Sequence, residues 1–305
     1  MSEFEPPSLL LRDGGAVVGT PWRIIGELDE HEDISGIACD ADGSGLLVTD
    51  EGSLVHRFEL QRRKRRLKLS PLTTMLLREG EEADLEGLCC DGTWFYAAGS
   101  HALGRNVPDH QPSRHHLYRL RFAGDRLEHE TSHALEPMLE NDRLLAGHFY
   151  KRLDSVERGV DIEGLAVRQD RLLIGLRGPA LDGEAFVLSV PVEAVFGAKR
   201  SRLRTAERYA LPLGEGAGVR DLATVQDGVL ILGGPSTDDD RPPFGLWWWN
   251  GARKVVELGT FEVAAPAKAE GLLLLGESAA AFELLVVFDG VPCGAPHAFA
   301  VPRPR

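Results

Sequence analysis

Five copies of one short pattern recur along this chain of 305 residues. Each copy is a polar turn, usually with a glycine, that runs into an apolar segment of strand length. The clearest copy is the stretch 161–167, with the sequence Asp-Ile-Glu-Gly-Leu-Ala-Val. The copies occupy residues 33–39, 84–90, 161–167, 218–224 and 268–274. Repeats at such wide spacing indicate an architecture of stacked or radial units before any single residue indicates a chemistry.

The segments between the copies keep one order of elements. An apolar strand is followed by a turn, a second strand, a polar loop, a third strand with aromatic residues, and a fourth strand that returns to the next copy. Four short strands per unit, repeated radially, are typical of a β-propeller. We therefore predict an all-β fold of about five four-stranded blades, with six as the alternative count. Apolar residues at helical spacing in residues 135–149 predict one short helical insertion, and residues 192–199 could form another short helix.

The two ends of the chain suggest how the ring closes. The fifth copy has only about three strands before the chain ends, whereas residues 22–28 form a strand pattern that precedes the first copy. This N-terminal strand is predicted to complete the last blade and remove a free sheet edge. Prolines and a glycine pair in residues 1–20 predict an arm with at most one short strand. The predicted organisation is thus an arm of residues 1–20 and a single propeller domain of residues 21–305.

The charge of the chain limits its partners. A net charge of -13 argues against a nucleic-acid or anionic-membrane surface, because both favour clustered lysine and arginine. The basic run 62–66 is interpreted as a solvated hairpin connection. The sequence has no predicted secretory leader or membrane span, and its four cysteines lack metal-ligand spacing. We expect a cytoplasmic protein without nucleic-acid or membrane partners, and the sequence identifies no protein partner.

The predicted fold brings the repeat turns together. In a propeller, the loop that enters each inner strand and the loop between the second and third strands lie at the same end of the ring. The third residues of the five turns are Ser35, Glu86, Glu163, Arg220 and Glu270. Three neighbouring carboxylates cannot all ionise without a cation, so the three glutamates are predicted to hold a divalent metal ion such as Ca²⁺ or Mg²⁺. The alternative, that these residues only fix one blade to the next, stays open.

The loops after the second strands add further polar side chains to the same end. A funnel with both carboxylates and arginines suits an anion such as a phosphate ester or a carboxylate. Arg177 and Arg220 are predicted to hold this anion, and His101 is predicted to transfer a proton. The candidate ligand-binding residues are Ser35, Asp50, Ser100, Ser236 and Asp289.

Seven short segments occur in a fixed order along the chain: 84–88, 99–101, 112–114, 161–165, 175–179, 220–222 and 233–235. Taken together, they resemble the bacterial family called domain of unknown function 3616. The resemblance spans roughly residues 30 to 300 and implies a β-propeller without implying a reaction. Arg114, from the third segment, joins the candidate ligand-binding residues. The glutamate-glycine turns are also similar to those of esterase-like phytase propellers, which implies metal-assisted phosphate-ester chemistry.

Two functions are therefore compatible with the sequence. The first is a metal-assisted hydrolase of an anionic ester, either a phosphate ester or a lactone, that acts in the axial funnel. The second is a non-catalytic propeller that binds a small ligand or a protein partner through the same loops. The first hypothesis requires the three glutamate carboxylates to lie within a few ångströms of one another, whereas wide separation favours the second.

Overall fold

Five antiparallel sheets form the ring that the repeat predicts. The computed structural model describes residues 5–28, 33–49, 53–77, 82–104, 110–197 and 205–304. The N-terminal segment before the first blade contains β1 (Ser8–Leu11), β2 (Ala16–Val18), β3 (Thr20–Pro21) and β4 (Arg23–Ile25). The first blade contains β5 (Ile34–Cys39), β6 (Ser44–Thr49), β7 (Leu54–Gln61) and β8 (Arg66–Met75). The second contains β9 (Leu85–Cys90), β10 (Phe95–Gly99), β11 (Leu117–Ala123) and β12 (Arg126–Ser132).

The remaining blades follow the same order. The third contains β13 (Asp161–Arg168), β14 (Arg171–Leu181), β15 (Glu184–Pro191) and β16 (Glu207–Leu211). The fourth contains β17 (Ala217–Val225), β18 (Gly228–Pro235), β19 (Gly245–Trp249) and β20 (Val255–Glu262). The fifth contains β21 (Lys268–Glu277), β22 (Ala281–Asp289) and β23 (His297–Pro302), with β3 as its outer strand. The inner strands β5, β9, β13, β17 and β21 each contact the next around the ring, and β21 contacts β5. The predicted five-bladed propeller is confirmed.

The core lies between the blades. Five buried apolar clusters each join two neighbouring sheets. The tryptophans of β19 show why alternating side chains suit this arrangement, because successive residues of a strand point to opposite faces. Trp247 and Trp249 pack toward the third blade, whereas Trp248 packs toward the fifth. One strand thus supplies large apolar surface to two interfaces.

Short helices cover the interface between the second and third blades. These helices are α1 (Glu136–Asn141) and α2 (Val192–Phe196), so the predicted helical insertion is confirmed and the second short helix is present as well. Met138 and Leu139 of α1 and Phe196 of α2 are buried in the cluster that joins these blades. The described chain also contains 3₁₀ turns at Arg62–Lys64, Pro112–Arg114, Leu145–Gly147 and Pro292–Gly294. Among the described residues, no helix has the length and apolarity needed to span a membrane.

The N-terminal segment departs from its predicted strand assignments. The ring is closed by an N-terminal strand, as predicted, but the closing residues are Thr20–Pro21, which pair with β23. Arg23–Ile25 instead pairs in parallel with β8 of the first blade, so the predicted strand 22–28 does not complete the last blade. The predicted arm also holds more than one strand, because β1 pairs with β20 and β2 pairs with β1. Leu9 is fully buried there, and the added strands cover the open edge of the fourth blade.

Two second strands extend further than the sequence predicts. The apolar pattern of the third blade predicts a second strand over residues 171–176, but β14 continues to Leu181 and turns directly into β15. The pattern of the fourth blade predicts a second strand over residues 228–232, but β18 continues to Pro235. Arg177 is therefore held on a strand that continues past it, which gives its side chain a fixed direction.

The repeat glycine marks a close approach between inner strands. A Cβ atom at Gly36 would lie 2.5 Å from the backbone oxygen of Glu86, and one at Gly87 would lie 2.9 Å from the backbone oxygen of Glu163. We expect Gly36→Ala to lower the free energy of unfolding by about 1–3 kcal/mol, the usual cost of forcing extra volume into a packed interior. Urea unfolding monitored by tryptophan fluorescence measures this change.

Gly147 provides the matched control for this substitution. A Cβ atom at Gly147 meets no other atom within 4 Å, so Gly147→Ala should change the free energy of unfolding by less than about 0.5 kcal/mol. Equal effects of the two substitutions would contradict the close approach as the reason for the repeat glycine.

Candidate functional site

A cavity of about 810 Å³ opens at the end of the ring where the repeat turns meet. Its wall contains residues from all five blades, and we call it the axial funnel. The five turn residues Ser35, Glu86, Glu163, Arg220 and Glu270 all line it. Its volume lies within the range typical of small-molecule sites. The convergence predicted from the repeat is therefore present in the fold.

A β-bulge directs each turn residue toward the funnel. In the third blade, Ile162 and Gly164 both pair with β14, which leaves Glu163 as the extra residue between them. A bulge interrupts the alternation of side chains and changes the direction of the extra one. The same shift in register occurs at the equivalent residues Ser35, Glu86, Arg220 and Glu270. The repeat thus encodes a bulge as well as a strand.

The funnel wall, as the described residues define it, carries more acidic than basic side chains. Ten lining residues are acidic: Asp33, Glu82, Asp84, Glu86, Asp154, Asp161, Glu163, Asp238, Glu270 and Asp289. Five lining residues are basic: Arg114, Arg152, Arg177, Arg220 and Lys268. With every one of these groups ionised, the wall has an excess of five negative charges. A single-sign excess in a cleft with low-dielectric walls attracts ligands of the opposite sign and repels anions.

Arg220 joins two of the predicted metal ligands. Its guanidinium binds the carboxylate of Glu270 through two hydrogen bonds, one of them from Nε to Oε2 at 2.8 Å. The same Nε lies 2.7 Å from Oε2 of Glu163. All three side chains are almost fully buried. Arg220 is therefore occupied by protein carboxylates instead of presenting its charge to a ligand.

Arg177 joins three carboxylates on the next part of the wall. Its Nη1 lies 3.2 Å from Oε1 of Glu163 and 3.5 Å from Oδ2 of Asp161, and its Nη2 donates to Oδ1 of Asp238 at 2.9 Å. Its Nε also donates to the backbone oxygen of Pro235. The predicted anion clamp is thus a structural crosslink between the third and fourth blades.

Glu163 lies at the centre of this group of charged side chains, between Arg220 and Arg177. Burial raises the pKa of its carboxyl well above the ordinary value, against the lowering effect of Arg220 and Arg177. Two guanidinium groups are shared among four carboxyls, which favours retention of a proton on the most buried one. Oε2 of Glu163 accepts no hydrogen bond, because the N–H of Arg220 Nε is directed at Glu270. The raised pKa favours the protonated form of this carboxyl at the funnel wall.

The remaining candidate ligand-binding residues that the structure describes are each bound to other groups of the protein. Arg114 and Asp289 line the funnel, but Arg114 pairs with Asp84 and Glu82 at 2.7 Å each, and Asp289 accepts from Lys268 at 2.6 Å. Ser100 and Ser236 are buried and donate to Asp84 and Asp240. Ser35 donates to the backbone oxygen of Leu85 and so fixes the first blade to the second. Asp50 lies outside the described residues.

A calcium or magnesium ion does not fit the three predicted glutamates. Oxygens of Glu163 and Glu270 face the guanidinium of Arg220, so bringing a cation to both would set it against a fixed positive charge. Among the described residues, the only three acidic, histidine or cysteine side chains whose ligand atoms lie within 4.8 Å of one another are His110, His115 and Glu136. Glu86, Glu163 and Glu270 do not form such a group, and no step proposed below depends on a metal there.

His101 lies outside the wall of the funnel as the described residues define it. It is buried, donates from Nδ1 to the backbone oxygen of Gly99 at 2.9 Å, and packs with its ring centroid 5.1 Å from that of His115. Burial lowers the pKa of His101 to about 3 and that of His115 to about 4. The position of its ring therefore gives no support to the predicted proton transfer at the axis.

Two residues that make these contacts are not among the candidate site residues of the sequence, namely Asp161 and Glu136. Asp161, the first residue of its repeat turn, lies 3.5 Å from Nη1 of Arg177 through Oδ2. Glu136 was seen only as part of a helical pattern, yet its carboxylate lies 3.3 Å from Nε2 of His110. The available signal was an acidic side chain, and acidic residues are too common in this chain for that signal to select these two.

The chain is similar to several solved structures of other proteins. The exo-β-1,3-galactanase of Phanerochaete chrysosporium, solved with β-1,3-galactotriose, has a TM-score of 0.51 at 8% identity over 94% of this chain and 63% of that one. A Thermus thermophilus protein described as an oxidoreductase (glucose dehydrogenase) has a TM-score of 0.44 at 15% identity, covering 93% and 99%. A Bacteroides uniformis protein described as a 6-phosphogluconolactonase has a TM-score of 0.37 at 12% identity, covering 84% and 67%. At 8% identity, the likeness to the galactanase shows the fold alone.

Sequence comparison gives one further result. No curated protein matches the chain. The sequence profile of one family matches residues 33–123 and 114–294, which together extend from the first repeat turn to the loop before the last strand. This span includes every turn residue of the axial funnel. The chain therefore belongs to the family described as "Protein of unknown function (DUF3616)".

Proposed function

We propose that the axial funnel hydrolyses a small uncharged cyclic ester, a lactone, with Glu163 as the proton donor. The observation that carries this proposal is the buried Glu163 carboxyl at the funnel wall, whose pKa is raised and whose Oε2 accepts no hydrogen bond. A carboxylic acid that stays protonated near neutral pH is suited to protonate a leaving oxygen.

The charge of the wall favours a neutral substrate over an anionic one. Arg114, Arg177 and Arg220 are each bound by two or more carboxylates. A phosphate ester would have to displace those carboxylates inside a funnel that already has excess negative charge. An uncharged ester has no such cost, so the lactone is the part of the predicted substrate range that this geometry supports.

The reaction needs a second carboxyl to activate water. Glu86 occupies the equivalent bulge of the neighbouring inner strand and lines the same funnel. In the proposed reaction Glu86 accepts a proton from water, and the water oxygen forms a bond to the carbonyl carbon. The bond from that carbon to the ring oxygen breaks as the ring oxygen takes the proton of Glu163. Solvent then returns a proton to Glu163 and removes one from Glu86, and the product is a hydroxy acid.

Glu163→Gln tests this proposal, because glutamine keeps the shape of the acid but cannot donate its proton. With δ-valerolactone and glucono-δ-lactone as probes, we expect kcat to fall roughly 100- to 10,000-fold, the usual contribution of a general acid. Acid release followed with a pH indicator measures the rate. Glu128→Gln, on the exposed edge of the second blade, is the matched control and should retain the wild-type rate.

The pH profile gives an independent measure of the same group. Activity of the wild type should be highest while Glu163 is protonated and should fall as the pH rises through its raised pKa. Turnover of p-nitrophenyl phosphate in preference to both lactones would contradict the choice of a neutral substrate. Absence of turnover of either lactone, or wild-type activity in Glu163→Gln, would contradict the assignment of Glu163 as the acid.

A second candidate function is the non-catalytic binding of a small cationic ligand. The observation that favours it is the excess of ten acidic over five basic residues in the funnel wall. Calorimetric titration with spermidine distinguishes the two functions. Binding that weakens with added salt, without hydrolysis of either lactone, would support this second function over the first.

A further inference from the structure

The second blade and the helical insertion bring together a cluster of histidines apart from the funnel wall. His110 and His115 belong to the segment that leads into β11, and Glu136 begins α1. Tyr150 follows the insertion and completes the cluster. None of these four residues is among the described residues that line the axial funnel. The cluster is therefore separate from the proposed hydrolytic site.

We propose that His110, His115 and Glu136 form a binding site for a divalent transition-metal ion of the zinc type. Oε1 of Glu136 lies 3.3 Å from Nε2 of His110 and 3.7 Å from Nδ1 of His115. Ligands at about 2.0–2.1 Å in a tetrahedral shell are about 3.3–3.4 Å from one another. These two separations are close to that geometry, and all three ligand atoms lie within 4.8 Å of one another, so side-chain shifts can place one ion among them.

The burial and the hydrogen bonding of His115 provide a second, independent observation in favour of a metal ion. Its side chain is about 1% exposed, and neither ring nitrogen has a hydrogen-bond partner among the described residues. A buried polar group without a partner has a substantial free-energy cost. A metal ion bound at Nδ1, the nitrogen that faces Glu136, would supply a partner for that nitrogen.

The surroundings of the cluster orient its carboxylate. The hydroxyl of Tyr150 donates to Oε1 of Glu136 at 2.6 Å, and its ring packs against both His110 and His115. Outer partners of this kind fix the direction of a ligand and tune its affinity for the ion. His110 is partly exposed, so an ion can enter from solvent.

The donor atoms select the class of ion. Two imidazoles and one carboxylate suit zinc and neighbouring transition metals, whereas calcium and magnesium prefer shells made of oxygen atoms. Three protein ligands leave at least one coordination position for water, as in catalytic zinc sites. The linear spacing of these residues matches no common zinc motif, because the third ligand comes from a separate insertion.

Zinc titration of the full chain, after removal of bound metal with a chelator, tests the proposal. We expect one zinc ion per chain, measured by competition with a chromophoric chelator, and a rise in melting temperature on zinc addition. Calcium at the same concentration should leave the melting temperature unchanged. His110→Gln and Glu136→Gln, at partly exposed positions, should each weaken zinc binding by roughly 100-fold, as loss of a ligand is at least as severe as loss of an outer partner.

His129→Gln, an exposed histidine on β12, is the matched control and should bind zinc as the wild type does. Replacement of zinc by cobalt(II) adds a readout of geometry, because a tetrahedral nitrogen and oxygen shell gives intense visible absorption. The proposal is overturned if zinc binds the wild type and both ligand variants equally, which would indicate adventitious binding elsewhere. It is also overturned if the metal-free wild type does not take up zinc. Neither result depends on hydrolytic activity in the funnel.

Discussion

Arg220→Met should lower the free energy of unfolding by about 3–5 kcal/mol, the range found when one partner of a buried ion pair is removed. Arg220 is 5% exposed and lies between Glu163 and Glu270, which belong to the two neighbouring blades. Methionine keeps the length and apolar stem of the side chain but leaves Glu270 without its cation and Glu163 with Arg177 alone. Urea unfolding at neutral pH measures the loss.

The size of this loss should depend on pH. Arg220 lowers the pKa of Glu163, so its removal raises that pKa further above the ordinary value of 4.5. A carboxyl whose pKa is raised in the folded state favours folding fully below its unfolded pKa, and this contribution is lost as the pH rises through the folded pKa. The deficit of Arg220→Met should therefore be smallest while Glu163 is protonated in both proteins and should grow as the pH rises through the raised pKa of Glu163 in the wild type.

Arg121→Met provides the control for this comparison. Arg121 pairs with Glu128 at the surface, where both side chains are about half exposed, so its loss should cost less than about 1 kcal/mol at any pH. A deficit for Arg220→Met that equals this surface value, or that does not change with pH, would show that the buried network carries little of the stability.

The ring can be predicted from the sequence because the repeated residues determine how neighbouring inner strands pack. Gly36 and Gly164 each allow a neighbouring inner strand to approach, and the apolar residues after them fill the space between blades. The residues that precede these glycines all lie near the axis, because the inner strands have the same register shift at that position. Fold and funnel therefore follow from one local pattern.

The ion-pair partners of the charged funnel residues cannot be predicted from that pattern. The prediction of a metal among Glu86, Glu163 and Glu270 rested on like charges at equivalent positions. The pairing of Arg220 with two of them depends on side-chain directions across three blades. Arg177 was placed in a loop because Gly178-Pro179 is typical of a turn, yet the strand continues through it and directs its side chain at Glu163. Long-range geometry decides such contacts, and residue spacing does not encode it.

The N-terminal strands and the histidine cluster also could not be predicted from the spacing of residues in the repeat. Leu9 lies in a short apolar run that forms a strand by pairing with the open edge of β20 and with β2. Glu136 lies 21 residues after His115 in sequence, because an insertion returns to the second blade. Both features arise from contacts between segments that have no sequence relation to the repeat.

Asp221→Ala should also destabilise the ring strongly, by about 3 kcal/mol or more, because it leaves several buried N–H groups without an acceptor. Asp221 stands where the other four repeats have glycine, and its side chain is buried. It accepts the backbone N–H of Leu222 and that of Leu272 at 2.7 Å each, and it also hydrogen-bonds the backbone of Leu165. One carboxyl thus joins the inner strands of the third, fourth and fifth blades.

Two further variants separate this role from a simple loss of volume. Asp221→Asn keeps the shape and one acceptor oxygen, so its loss of stability should be smaller than that of Asp221→Ala. Asp227→Ala, which removes an exposed carboxylate paired with Arg303, should cost less than about 1 kcal/mol. If Asp221→Ala and Asp227→Ala shift the urea midpoint equally, the buried hydrogen bonds do not fix the blades. If Asp221→Ala alone is severe, the buried hydrogen bonds of this carboxyl fix the inner strand of the fourth blade to the inner strands of both neighbouring blades.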